Sequence, residues 1–132
     1  MAKILVVDDE RSIRNSMKEV LEFEGHVVTL AEDGETGLKE AEKEQFDLVF
    51  SDIKMPKMDG IELLAKMRQL QPSTKMILIS GHGTIETAVQ CMRNGAFDFI
   101  EKPMNLNRLL QAVKEAMSSN STGTSKLRAA LP

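Results

Sequence analysis

Ile4-Leu5-Val6-Val7-Asp8-Asp9-Glu10 decides how this chain is read. Four apolar residues run without alternation and stop at three consecutive acids. An unbroken apolar run of strand length fits a strand buried on both faces, the usual setting being the middle of a parallel sheet. Such a strand delivers the next residues to the C-terminal edge of the sheet, where open α/β proteins build their sites. Three carboxylates arriving there together repel one another. A hard cation would relieve the repulsion, and an oxygen-only donor set favours Mg²⁺ or Ca²⁺ over Zn²⁺. Taken alone, the stretch reads as an ordinary helix start, where acids are favoured by the macrodipole and Asp is a good N-cap.

The pattern repeats outward from there. Leu48-Val49-Phe50, within a strand expected from Asp47 to Ser51, ends at Asp52; Met76-Ile77-Leu78-Ile79 ends at Ser80. Phe97 to Ile100 reads as a further strand, followed by Glu101-Lys102-Pro103, and Val27 to Leu30 as a short edge strand. Between these lie helical spacings. Ile13, Met17, Val20 and Leu21 predict a helix from Arg11 to Glu24, with Gly25 as its C-cap. A short helix carries Leu38 and Ala41, and another, capped by Asp59, turns Ile61, Leu64 and Met67 inward. Thr84 caps a helix with Ile85, Ala88, Val89 and Met92 as its apolar stripe, which leaves Cys91 off the stripe. Asn105 caps the last, with Leu106, Leu109, Leu110, Val113 and Met117 on one face. Five strands alternating with five helices over short links predict right-handed crossovers and a doubly wound parallel sheet, α/β in class.

The 132 residues suffice for one domain with one core. A net charge of −3 points to neither nucleic acid nor an anionic membrane as a partner. A single cysteine precludes an internal disulfide and suits a reducing compartment. No apolar run approaches transmembrane length and no signal-peptide core opens the chain, so the expected location is the cytoplasm. From Ser118 to Thr124 every residue is Ser, Asn, Thr or Gly, which reads as a flexible linker, and Lys126 to Pro132 as a tail or the start of an inter-domain segment. The expected division is therefore 1–117 for the domain and 118–132 for the linker.

One sheet edge then collects Asp8, Asp9, Asp52, Ser80 and Lys102. A single acid at a strand end is ordinarily a cap or turn residue. Four strands ending in mutually complementary polar groups are hard to obtain from capping alone. No His–Ser or Cys–His pair is available for acyl transfer, and no Gly-rich phosphate loop follows the first strand. Carboxylates can hold Mg²⁺, Lys binds phosphate as a point charge, Ser can donate to a phosphoryl oxygen, and a carboxylate can accept a phosphoryl group. The set reads as a Mg²⁺-assisted phosphoryl acceptor, with Asp52, alone opposite the acid pair, as nucleophile.

In Asp8-Asp9, in Asp52 with Met55-Pro56 and Asp59-Gly60, in Ser80-Gly81 and in Lys102-Pro103, the chain resembles the receiver domains of two-component response regulators. Ser80-Gly81-His82-Gly83 and Gly95 to Pro103 most resemble receivers of NtrC-type activators, which regulate an ATPase acting on sigma-54 RNA polymerase. The resemblance implies a flavodoxin-like (βα)5 fold with strand order 2-1-3-4-5. It implies Asp52 as phosphoacceptor and as a Mg²⁺ ligand, with Asp9 as direct ligand, Asp8 acting mainly through water and the Lys54 backbone carbonyl completing the set. It implies Lys102 as partner of the phosphoryl group, Ser80 as switch hydroxyl, Phe99 as switch aromatic, and a cis bond before Pro103. A sensor histidine kinase would donate, and the face made by the fourth helix, fifth strand and fifth helix would respond and could pair two copies. The ATPase and DNA-binding output domains would lie outside this chain. Such a domain is an enzyme only in assisting its own phosphorylation and dephosphorylation. Two rivals fit less well. A Mg²⁺-dependent hydrolase with an aspartyl-phosphate intermediate would need a cap domain, and a flavin-binding module would have its phosphate repelled by Asp8-Asp9-Glu10.

Overall fold

The computed structural model describes residues 1–118. Strands and helices alternate as β1 (Lys3–Val7), α1 (Arg11–Phe23), β2 (Val27–Ala31), α2 (Gly34–Lys43), β3 (Leu48–Asp52), α3 (Gly60–Leu70), β4 (Lys75–Ser80), α4 (Ile85–Arg93), β5 (Asp98–Glu101) and α5 (Leu106–Ser118). All neighbouring strands pair in parallel, in the order β2-β1-β3-β4-β5. The order reverses at β1, so β1 and β3 lie side by side although a whole βα unit separates them. A crevice outside the strand ends at such a reversal is where open sheets of this kind bind ligands.

The central strands carry apolar runs because both of their faces are covered. Ile4, Val6, Leu48, Phe50, Ile77 and Ile79 pack with Met17 and Leu21 of α1 and with Leu109, Ala112, Val113 and Ala116 of α5. The alternate residues, Leu5, Val7, Val49, Met76 and Leu78, face Ala41 of α2, Leu63, Leu64 and Met67 of α3, and Cys91 and Met92 of α4. No helix among the described residues is long and apolar enough to cross a membrane.

Several local expectations shift. The α4 stripe is one: Ile85 is 84% exposed, while Cys91 and Met92 are buried. This helix meets the sheet with its last turn, so burial follows that turn rather than the apolar spacing. Cys91 sits in the core, where burial pushes its thiol up to about 11, far from the reactive thiolate range. In α5, Leu106 and Met117 are exposed, and Ala112 and Ala116 take inner positions where small side chains let the helix approach the sheet. The fifth strand begins one residue later than expected, because Phe97 is engaged through its N–H with the Met76 carbonyl ahead of the ladder. Ahead of β2, His26 is half-buried, and its Nδ1 accepts a hydrogen bond from the Ala2 N–H at 3.0 Å. Ser118 closes α5 rather than opening a linker, and residues 119–132, including the rest of the expected linker, lie outside the described residues.

The opposite end of the sheet is tied by a buried amide. Gln71 Oε1 accepts from the Phe46 N–H at 2.9 Å, and Gln71 Nε2 donates to the carbonyls of Ala41 at 2.7 Å and Glu44 at 2.8 Å. Thr74 Oγ1 adds a bond to the Phe46 carbonyl at 2.6 Å. One side chain thus satisfies the backbone where α2 ends and β3 begins. Gln71→Leu leaves three of those groups unpaired, so urea unfolding is expected to show a loss of about 2–4 kcal/mol.

Candidate functional site

The strands β1, β3, β4 and β5 carry a polar group at or just past their C-terminal ends, on one edge of the sheet. The β1–β3 register pairs Val7 with Ser51, which brings Asp8 and Asp52 to the same level. The β4–β5 register pairs Ser80 with Glu101, which places Lys102 immediately beyond. Asp8 is 1% exposed, Asp52 5% and Ser80 7%, whereas Asp9 and Glu10 are open to solvent.

Lys102 organises the buried carboxylates. Its Nζ donates to Asp52 Oδ2 at 3.1 Å and lies 3.3 Å from Asp8 Oδ2 and 3.6 Å from Glu10 Oε1. The other oxygen of Asp52, Oδ1, accepts from the Lys54 N–H at 3.3 Å. Asp8 Oδ1 accepts from the Glu10 N–H at 2.8 Å, and the Asp8 carbonyl accepts from Arg14 Nη1 at 2.7 Å. Asp8 Oδ2, although ion-paired, has no hydrogen bond of proper alignment.

Burial is the main cause that raises Asp8 above the usual carboxylate range. The Glu10 N–H opposes it, the Asp52 charge adds to it, and Lys102 opposes it again. For Lys102, burial pulls downward. The hydrogen bond to Asp52 and the charges of Asp8 and Asp52 together outweigh it, and the net shift is upward, so the ammonium stays charged.

Asp8, Asp9 and Glu10 present carboxylate oxygens that all lie within 4.8 Å of one another. That all-oxygen trio, with one buried oxygen lacking an aligned donor, fits a hard divalent cation. Asp8 and Asp9 of the expected set lie in this trio, and Glu10, legible in the sequence only as one more acid, stands with them. Asp52, also expected as a ligand, is engaged by Lys102 through Oδ2.

Folding should reflect this crowding. Asp8→Asn removes one of the two buried carboxylates, Asp8 and Asp52, and in divalent-free buffer at neutral pH it is expected to raise stability by about 1 kcal/mol. The sign comes from linkage. A carboxyl with its folded pKa raised binds its proton more tightly when folded. Its stabilising contribution is therefore present below the unfolded value of 3.8 and is lost as pH rises through the raised folded value. Urea melts from acid to neutral pH should show wild type losing ground to the variant as pH rises.

The loop after β3 closes through glycine. A Cβ on Gly60 would meet the Asp52 carbonyl oxygen in hard overlap and lie 2.8 Å from Ile53 Cα. The Gly60 N–H donates to the Ile53 carbonyl at 2.8 Å, and Asp59 caps α3 by accepting from the Glu62 N–H. The Asp-Gly pair was legible as a helix start, but the pressure of that helix on Asp52 was not. Met58 packs against Gly34 at the start of α2, seating the middle of the loop.

Ser80 Oγ accepts from the His82 N–H at 3.1 Å, so the hydroxyl is held by its own loop. Phe99 is half-buried, with its ring over Gly83, where a Cβ would lie 2.9 Å from Cζ. Arg108 of α5 ties down the same strand, with Nη2 at 3.0 Å from Asp98 Oδ2 and 3.2 Å from the Phe99 carbonyl. The Lys102–Pro103 peptide is cis.

Residues 4–114 match the model of the family described as response regulator receiver domain. The transcriptional regulatory protein GlrR of Escherichia coli (strain K12) is 36% identical over 123 residues, 93% of this chain and 28% of the relative. Among solved structures, NtrX from Brucella abortus in complex with ATP is similar at a TM-score of 0.84 and 41% identity, covering 97% of this chain and 28% of that one. The beryllofluoride-activated NtrC4 receiver domain dimer gives a TM-score of 0.83 at 35% identity, with 86% and 94% covered. The chain spans little more than a quarter of the length of the curated relative and of NtrX.

Proposed function

Since this chain belongs to the response regulator receiver domain family, we propose that Asp52 is its phosphoacceptor and a sensor histidine kinase its donor. Receiver domains are the phosphorylation switches of two-component systems, and the relatives that this chain matches include transcriptional regulators. The observation that carries the residue assignment is the Lys102 ammonium, which reaches buried Asp52 at 3.1 Å and buried Asp8 at 3.3 Å. An ammonium between two inward carboxylates suits a site that must accept further negative charge.

An oxygen of Asp52 would form the new bond to phosphorus as the bond from phosphorus to the donor's imidazole nitrogen breaks, the electron pair returning to the ring. The product is an acyl phosphate. Lys102 keeps its proton and faces the transferred oxygens, and catalysis is mostly positioning and charge neutralisation. Asp8 and Asp9, with the Lys54 carbonyl, would hold Mg²⁺, which when bound supplies positive charge against the phosphoryl oxygens. Ser80 would exchange its bond from His82 N–H for one donated by its own hydroxyl to a phosphoryl oxygen. Phe99, whose ring rests on Gly83, would follow it inward and reshape the face of α4, β5 and α5.

We assign to that face the control of an output segment beyond this chain, of the ATPase and DNA-binding kind, and a dimer contact like that implied by the NtrC4 receiver dimer. The domain would assist only its own phosphorylation and dephosphorylation, in the cytoplasm. The test is intact mass after incubation with acetyl phosphate and Mg²⁺. One phosphoryl group is expected, and none when EDTA is present. If no phosphoryl group is gained and a beryllofluoride titration leaves the amide NMR spectrum unmoved, the reading is wrong.

A further inference from the structure

Glu10 stands at the N-cap position of α1, with extended backbone at φ −94° and ψ 118°, yet its side chain makes no capping bond. Position alone accounts for an acid at a helix start; it does not account for where this one is aimed. Its Oε1 lies 3.6 Å from Lys102 Nζ, the same ammonium that holds Asp52. The same carboxylate belongs to the trio with Asp8 and Asp9, within 4.8 Å. Within the trio, Asp8 is 1% exposed, and its Oδ2, ion-paired to Lys102 at 3.3 Å, accepts no aligned hydrogen bond, which leaves a buried acceptor oxygen for a cation. Glu10 thus has two electrostatic partners in reach, one fixed and one that must arrive. Its side chain is 59% exposed, so little packing opposes a turn between them.

We infer that Glu10 is an exchangeable third carboxylate of this site, holding Lys102 before a divalent cation binds and turning toward the cation once it does. The inference rests on the metal site proposed for Asp8 and Asp9 and adds a residue and a coupling to it. Two positive charges attract a carboxylate more strongly than one ammonium at 3.6 Å, so the exchange runs downhill when the cation arrives. Lys102 is then left to Asp52 and its incoming phosphoryl group. Cation binding thereby frees the ammonium for the transfer, and Glu10 acts as a positioning residue.

The test is Mg²⁺ titration by calorimetry, without phosphodonor, on wild type, Glu10→Gln and Glu19→Gln. Glu19→Gln removes the same charge from an exposed position on the same helix. Glu10→Gln is expected to weaken Mg²⁺ binding roughly three- to tenfold, less at high salt, while Glu19→Gln stays near wild type. Glu10→Asp, which keeps the charge, should recover most of the affinity. The side-chain Cε–Hε NMR correlation of Lys102 should move when Mg²⁺ is added to wild type and move much less in Glu10→Gln. A merely structural role for Glu10 would not produce that second effect. If wild type binds Mg²⁺ and Glu10→Gln matches Glu19→Gln in affinity, or if Lys102 responds alike in wild type and Glu10→Gln, the inference is overturned and the metal site stands. If wild type binds no Mg²⁺, the metal reading itself falls, and the inference with it.

Discussion

Asp52→Asn is expected to take up no detectable phosphoryl group from acetyl phosphate and Mg²⁺, a loss of about 10⁴-fold or more in labelling rate. The amide has the shape of the carboxylate, and its oxygen can still accept from Lys102 or from the Lys54 N–H, which now engage Oδ2 and Oδ1 respectively. What it lacks is the anionic oxygen that must bond to phosphorus. Lys102 keeps Asp8 and Glu10 as partners, so the variant should fold normally, and removal of a buried like charge beside Asp8 gives no reason for it to be less stable. Intact mass and an unfolding curve from the same sample separate lost chemistry from lost fold. Label persisting in the variant on Asp8, Asp9 or Glu10 would place the nucleophile elsewhere and sink the assignment of Asp52.

Gly60→Ala should be the most damaging single methyl in the domain, with a loss of about 3 kcal/mol in urea unfolding. The new Cβ would overlap the Asp52 carbonyl oxygen and lie 2.8 Å from Ile53 Cα. Both are backbone atoms, and neither can turn aside as a side-chain tip would. The start of α3 must move, or the end of β3 must, and Asp52 sits at that end. Phosphoryl uptake should therefore fall along with stability. Gly81→Ala is the control within the same site: its nearest neighbours are side-chain carbons of Lys102 at 3.9 and 4.0 Å, ordinary contact distances. That variant should unfold within about 0.5 kcal/mol of wild type. Equal stabilities for the two alanine variants would show that the close packing at Gly60 is not a constraint.

The strands were legible because burial on both faces leaves a local mark. Leu48-Val49-Phe50 and Met76 to Ile79 carry no period-two alternation, since neither face meets water. The caps at Asp59, Thr84 and Asn105 were legible for a similar reason: each bonds a backbone N–H two or three residues on, within reach of a sequence window. Asp8, Asp52, Ser80 and Lys102 could be gathered on one edge without coordinates, because parallel strands joined by short crossovers share an end.

Tertiary structure decided the rest. That Lys102 spans Asp8, Asp52 and Glu10 depends on bonds across tens of residues, which no local spacing encodes. Gln71 reads locally as part of a helix-breaking turn, and only the folded chain brings Phe46, Ala41 and Glu44 to its amide. Ile85 fits a helical stripe yet faces solvent, because α4 touches the sheet at its other end. Apolar runs marked the strands that would be buried, and their parallel order placed the polar groups that follow them at one sheet edge. The docking of whole elements on one another decided which oxygen meets which ammonium, since those distances are set by packing between segments far apart in the chain.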